Sequence, residues 1–379
     1  MEEMKCVQEP QSKIAALKNS NCSLHTLSLM ASIPPDVVQE IKEKLILTCE
    51  SKRKGYYEET CGSKTKCVKF TIAPEFGFNE IILKSFKKNG LRRYWLYIKI
   101  NPRRMNHAQD HPYVYIASPE DIQKSIDQIQ LFLDEAEITE IPASAFHVQR
   151  VDYCVNIDLG NADRVKEYMR LMQKGAPPHS MKRLYEYSKS GKRYVPMANC
   201  YTVISTYAEF SVYDKQYQLS NEENKYSQDE IREASGMIRI EYRAKRQNVR
   251  NIEKQNGCET MNAILNITPE MSEKYILRYL KKIYGTGKFV KMWEALQIID
   301  ESPYKKKTKK EMENILRIAA KTDLEVAKQS YGKEFSKYMR KFNELGISPI
   351  TIERRAPIES MENPSYYIAH QSKNHEMLG

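Results

Sequence analysis

Arg150-Val151-Asp152-Tyr153-Cys154-Val155-Asn156-Ile157-Asp158 alternates polar and apolar residues. Successive side chains of a strand point to opposite faces, so Asp152, Cys154, Asn156 and Asp158 share one face and Val151, Tyr153, Val155 and Ile157 the other. Ile238-Arg239-Ile240-Glu241-Tyr242-Arg243 alternates in the same sense, with Arg239, Glu241 and Arg243 opposed to Ile238, Ile240 and Tyr242. A third β-like stretch, Tyr201 to Tyr213, lies between them. Together they predict a sheet with one charged face. An antiparallel sheet with one solvated face alternates in the same way without any active site.

Upstream, the first thirty residues are polar and without a sustained period, and read as an arm. Ile33-Pro34-Pro35 then stops the chain before a helix over Asp36 to Leu47. Val68 to Ile100 carries β-like runs, closed by Asn101-Pro102-Arg103-Arg104 as a basic loop. Ser118-Pro119-Glu120-Asp121 has the N-cap, proline and acids of a helix start, and Ile122, Ile126, Ile129 and Leu133 form its apolar stripe. Downstream of Asn248 the pattern is helical, over Ser272 to Ile283, Phe289 to Ile299, Lys309 to Ala320 and Lys333 to Leu345, the last stopped by Gly346. The fold class expected is α+β. An N-terminal arm and helix (1–50) precede a mostly antiparallel sheet domain (51–250), and a helical C-terminal domain (251–379) follows. Tyr284-Gly285-Thr286-Gly287-Lys288 lacks the spacing of a phosphate loop and follows a helix, so it defines no nucleotide site.

Sixty Lys and Arg against forty-nine Asp and Glu give a formal charge of +11, the balance of a protein whose partner is polyanionic, with nucleic acid first among candidates. The eight cysteines are scattered without zinc-chelating gaps. No apolar leader or apolar run of about twenty residues is present, so the expectation is a cytoplasmic chain with reduced thiols and no membrane partner. Tyrosine dominates the aromatics, twenty-five against ten Phe and two Trp. Such rings can stack on bases or act as nucleophiles, and they also fill half-buried strand positions.

If the charged faces adjoin in one sheet, Asp152 and Glu241 could hold Mg²⁺ or Mn²⁺, since hard cations prefer carboxylate oxygens and water. Arg150, Arg239, Arg243 and Lys245, with Lys215 of Val212-Tyr213-Asp214-Lys215, would then grip phosphate oxygens. Lys305, Lys306 and Lys307 begin a basic run between two helices that could clamp a DNA backbone or be a solvated loop. His107 and His111 sit in a loop-like stretch with no helical pairing to make a metal site, and His147 reads as a surface residue.

Arg150-Val151-Asp152, Phe210-Ser211-Val212-Tyr213-Asp214-Lys215 and Ile238-Arg239-Ile240-Glu241-Tyr242-Arg243 resemble, in pattern and order, the core of filamentous-phage replication initiators of the gene II and gene X type. They also resemble plasmid rolling-circle initiators and their relaxase relatives. Leu345-Gly346-Ile347-Ser348-Pro349-Ile350 extends the resemblance towards the C-terminus. It implies a nicking domain in which a tyrosine hydroxyl attacks a DNA phosphate, leaving a 5′-phosphotyrosyl bond and a free 3′-hydroxyl. By the same resemblance Asp152 and Glu241 are metal ligands and the nucleophile is Tyr201, Tyr207 or Tyr213. All three tyrosines share the parity of Lys215 if the middle strand is continuous. The partners implied are an origin duplex, its single strand and a host helicase. Two departures stand against the pattern: the paired-histidine motif of the wider superfamily is absent, and Tyr217-Gln218 stands where a glutamate often follows the middle strand. The other readings are a non-catalytic DNA-binding regulator and an RNA-binding protein that stacks bases on tyrosine.

Overall fold

The computed structural model describes residues 22–60, 65–187, 194–197, 199–221, 226–257, 265 and 268–369. The protein is α+β. In chain order its elements are β1 (Ser23–Ile33), α1 (Val38–Ser51), β2 (Tyr56–Thr60), β3 (Thr65–Phe70), β4 (Glu80–Lys88), β5 (Leu91–Ile100), α2 (Pro102–Asn106), α3 (Pro119–Glu135) and β6 (His147–Asp158). There follow α4 (Ala162–Met172), β7 (Lys182–Arg183), β8 (Tyr185–Tyr187), β9 (Tyr194–Pro196), β10 (Cys200–Ile204), β11 (Ala208–Asp214), α5 (Lys215–Ser220), α6 (Gln228–Glu233) and β12 (Met237–Lys245). The rest is mainly helical: α7 (Arg246–Asn256), α8 (Thr268–Tyr284), β13 (Phe289–Val290), α9 (Met292–Glu301), α10 (Lys306–Lys321), α11 (Leu324–Tyr331), α12 (Phe335–Glu344) and β14 (Ser360–Met361). Among the described residues no helix is long and apolar enough to cross a membrane.

The chain forms two compact units. The first comprises Ser23–Cys154 and Arg243–Ser272; the second holds Val155–Tyr242 and the described residues from Glu273 on.

In the first unit the strand order is β2-β3-β4-β5-β1-β6, antiparallel throughout. β1 is a correction to the N-terminal arm. Leu27, Leu29, Ala31 and Ile33 recur with period two and are all buried, so the segment pairs with β5 on one side and β6 on the other. Apolar Met30 on the other face and the irregularity after Leu24 interrupt that alternation. Between β4 and β5 the chain reverses through Asn89-Gly90, both with positive φ (52° and 81°), as a two-residue hairpin of the right twist requires. Asn101-Pro102-Arg103-Arg104 is not a loop but the start of α2. Asn101 caps that helix by accepting from the Arg104 backbone N–H, and the proline costs nothing at its first position. α3 begins as its sequence dictates: the Ser118 hydroxyl accepts from Asp121 N and the Asp121 carboxylate accepts from Ser118 N. Ile122, Ile126, Ile129 and Leu133 are buried.

In the second unit the strand order is β6-β12-β11-β10-β7, with β10 antiparallel to both β11 and β7. The stretch from Tyr201 to Tyr213 is two strands, not one. Ser205 N donates to Ala208 O at 2.8 Å and closes a turn between them, which removes the shared parity of Tyr201, Tyr207 and Tyr213. Aromatic packing fills this core: Tyr242 stacks on Tyr275 with ring centroids 4.9 Å apart, and Tyr279 lies between Tyr242 and Phe210. The helical C-terminal region follows its apolar periodicity. α11 escaped the sequence reading although Asp323 caps it by accepting from Val326 N. Lys305 to Lys310 is also corrected: Lys305 is the N-cap and the remaining residues open α10, so the run is a helix start rather than an inter-helix loop. Gly287 lies where a Cβ would come within 2.1 Å of the Ile347 backbone. Lys288 N donates to Gly346 O and Ser348 N to Lys288 O beside that close approach. The Gly285-Thr286-Gly287 segment therefore serves close backbone packing.

Candidate functional site

Within the second unit, β11 and β12 bring two of the predicted residues together. The half-buried Tyr213 donates its hydroxyl to Glu241 Oε1 at 2.6 Å, a short charge-assisted bond. Asp214 then caps α5 by accepting from Tyr217 N at 3.0 Å, which turns Lys215 back to the end of β11. The Lys215 ammonium lies 5.8 Å from the Tyr213 ring centroid and donates to Gln218 Oε1 at 2.7 Å. Burial holds the Asp214 carboxyl above its usual range, against the pull of the Tyr217 and Gln216 backbone N–H groups.

The other candidates of this unit sit differently. Tyr201 is fully buried, donates to Gly175 O at 3.3 Å and packs on Tyr284, and burial pushes its hydroxyl far above the ordinary tyrosine value. A hydroxyl so sealed can neither reach a phosphodiester nor readily become an oxyanion. Tyr207, 54% exposed, occupies the β10–β11 turn. Arg239 is 0% exposed, with its Nε bonded to Asn156 Oδ1 at 2.7 Å. That is a correction: it is an internal cation of the sheet and has no surface to offer a phosphate. Lys215, 2% exposed, likewise acts inside the fold.

Asp152, 1% exposed, belongs to the first unit. Its Oδ1 accepts from Arg150 Nε at 2.7 Å and from Arg243 Nε at 3.2 Å, and its Oδ2 accepts from a second Arg150 nitrogen. Both oxygens are engaged by guanidinium, so Asp152 bridges two half-exposed arginines and leaves the trio with a net positive charge. Register places this trio on a wider face that the sequence reading missed. Tyr97 pairs with Ile82 and with Met30, and Lys99 with Ser28, which in turn pairs with Arg150. The opposite face of the same strands carries the buried Leu27, Leu29, Leu96 and Ile98. The partly exposed face thus carries Lys84 with its ammonium 3.8 Å from the Tyr97 centroid, the half-exposed Trp95, and Arg150 and Arg243. Basic and aromatic side chains interleave there with Ile82, and Glu80 stands opposite Lys99. Period-two reading of β4 and β5 could have found it had the polar residues been followed as closely as the apolar ones. Lys245 ends β12, partly exposed, and Lys305, Lys306 and Lys307 are exposed at the start of α10.

For a hard cation, Glu241 is a poor ligand by itself, being 8% exposed with its Oε1 accepting from Tyr213. Among the described residues no three His, Cys, Asp or Glu side chains gather. His107 Nε2 lies 2.7 Å from Asp121 Oδ1, an internal hydrogen bond at the start of α3.

No family model and no curated relative matches this chain. Solved structures similar to it include a rolling circle replication initiator protein from Geobacillus stearothermophilus, at 9% identity and a TM-score of 0.34 over 88% of this chain and 98% of that one. Others are the di-domain ARO/CYC BexL, at 8% identity and a TM-score of 0.20 over 69% and 96%, and DynU16, at 11% and 0.17 over 65% and 99%. Overlaps at these scores fall short of a shared fold and carry no residue role over to this chain.

Proposed function

We propose that this chain is a DNA strand-nicking and strand-joining enzyme that uses Tyr213 as its nucleophile, of the kind that starts rolling-circle replication. A conjugative relaxase is the same chemistry in another setting. The observation that carries the reading is the Tyr213–Glu241 hydrogen bond: of the three candidate tyrosines, it gives Tyr213 a carboxylate partner at 2.6 Å without full burial. The order of the three sequence segments and the basic, aromatic sheet face of the first unit support DNA as the substrate.

In the reaction Tyr213 Oη forms a bond to phosphorus while the bond from phosphorus to the 3′ oxygen breaks. The tyrosine proton passes to Glu241, and the departing oxygen takes a proton from solvent water to become the 3′-hydroxyl. The phosphotyrosyl bond keeps the energy of the cleaved linkage, so the step runs backwards to rejoin the strand. A Mg²⁺ or Mn²⁺ ion carried by the DNA phosphate would neutralise charge as it develops there and leave Glu241 free to take the proton. Lys215 holds positive charge beside the ring and favours the attacking oxyanion.

The test is incubation of the purified chain with end-labelled single-stranded DNA and Mn²⁺ or Mg²⁺, resolved on a denaturing gel. A covalent adduct is expected from the wild type and from Tyr207→Phe, and none from Tyr213→Phe or Glu241→Gln. An adduct that survives Tyr213→Phe overturns the assignment. If cognate DNA is bound and no adduct forms, the chain is a non-catalytic DNA-binding regulator.

A further inference from the structure

In the second unit a cavity of about 560 Å³ opens among the loop after α4, the end of α8, α11 and α12. Lys281 and Lys282 come to it from α8, Lys328 from α11 and Arg340 from α12, with His179 on the loop. Phe335 and Met339 supply an apolar wall; among the described residues that line the cavity none is acidic, and Glu344, just outside it, lies 3.7 Å from the exposed Arg340 Nε. Lys281 and Lys282 alone would be ordinary company for the carbonyl end of α8. Lys328 stands in the last turn of α11 and suits the carbonyl end of that helix in the same way, but what brings both helix ends and Arg340 of α12 to one cavity is the packing of three helices.

Gathering these cations has a cost that the fold carries. Burial holds the Lys282 ammonium below its usual range, and the Arg278 charge pushes the same way. Burial also lowers Lys328, against an upward pull from Glu325. Lys328 Nζ donates to Pro177 O at 2.6 Å, which ties α11 to the loop and fixes one charge at the cavity. Cations brought together in a concave, partly desolvated site, with no carboxylate lining it, favour a compact anion.

We propose that this cavity binds a phosphate group, with Lys282, Lys328 and Arg340 as its charged contacts. The site stands on its own geometry and is independent of the Tyr213 chemistry. Its phosphate comes either from a small free anion or from a nucleic-acid backbone.

The experiment uses the full chain and two probes: inorganic phosphate by calorimetric titration, and a short fluorescein-labelled DNA duplex by anisotropy. The Lys282→Gln/Arg340→Gln pair is compared with Lys166→Gln/Arg317→Gln, which removes the same charge at exposed positions outside the cavity. Lys328→Gln is a second cavity variant should the first pair fail to fold. The cavity variants are expected to weaken at least one probe by about tenfold or more, the scale of removing a charged hydrogen bond, and the control pair much less. Weakened phosphate binding identifies a free anion as the ligand. Weakened duplex binding alone, with a salt slope lower by about 0.9 for each phosphate no longer neutralised, identifies a backbone phosphate. Equal losses for cavity and control pairs, or wild-type protein that binds neither probe, overturn the proposal. Phosphate titration of the wild-type chain involves no strand cleavage, which separates this outcome from failure of the nicking assay.

Discussion

Tyr213 makes its bond to Glu241 from a half-buried position, and that sets what its removal costs. Tyr213→Phe should lower stability by about 1–3 kcal/mol in denaturant titration and still fold, since the bond it removes is charge-assisted and its acceptor Glu241 is buried. Loss of the DNA adduct in that variant then reports chemistry rather than unfolding. Asp152 behaves in the opposite way. Its carboxylate is buried beneath two guanidiniums, so Asp152→Ala leaves Arg150 and Arg243 facing each other without their bridge. A loss of about 1–3 kcal/mol is expected, moderated by the partial exposure of both arginines. A stability change within about 0.5 kcal/mol would show that the bridge is not maintained in solution.

Elements here are fixed as much by their ends as by their apolar stripes. α10 opens on Lys306 and Lys307, cations at the positive end of a helix dipole, which is unfavourable. It persists because Met312, Ile315, Leu316 and Ala319 are buried along one stripe. The crossing of residues 285–288 with 346–348 depends on Gly287 having no side chain. Gly287→Ala sets a methyl against the Ile347 backbone and should cost about 1–3 kcal/mol, as overpacking does, read as a lower midpoint in urea. Unchanged stability would mean that the two segments can separate freely.

Across the whole molecule the abundant tyrosines give alkaline pH an unusual grip. Burial holds Tyr168, Tyr201, Tyr242 and Tyr284 well above the ordinary tyrosine range. Burial, and then bonds to Glu344 and Glu311, push Tyr304 and Tyr331 up to about 12. A folded-state value above the unfolded one means that the contribution to stability is full below about pH 10. It is lost as pH rises through the folded values. Stability should therefore fall between about pH 10 and about pH 12, with tyrosinate absorbance of the buried rings appearing only as the fold opens. Buried rings that ionise near pH 10 while the secondary structure stays intact would contradict this packing.

Strand and helix identity was written locally. The bounds of β6 follow from alternation, α3 from its Ser118 cap and apolar stripe, and the C-terminal helices from their period, because each depends on neighbours a few residues apart. β1 was legible only in its buried alternation, which apolar Met30 and the irregularity after Leu24 interrupt. The division of labour among the candidate residues was not local. Sequence parity gave Tyr201, Tyr207 and Tyr213 equal claims, and Arg239 and Arg243 the same face. Only the packed structure buries Tyr201 and Arg239, exposes Tyr207 on a turn, bonds Tyr213 to Glu241 and surrounds Asp152 with guanidinium. The convergence of Lys282, Lys328 and Arg340 belongs to the same class of fact. Alternation assigns a side chain to a face, whereas burial and bonding depend on segments distant in the chain, whose approach is set by tertiary packing.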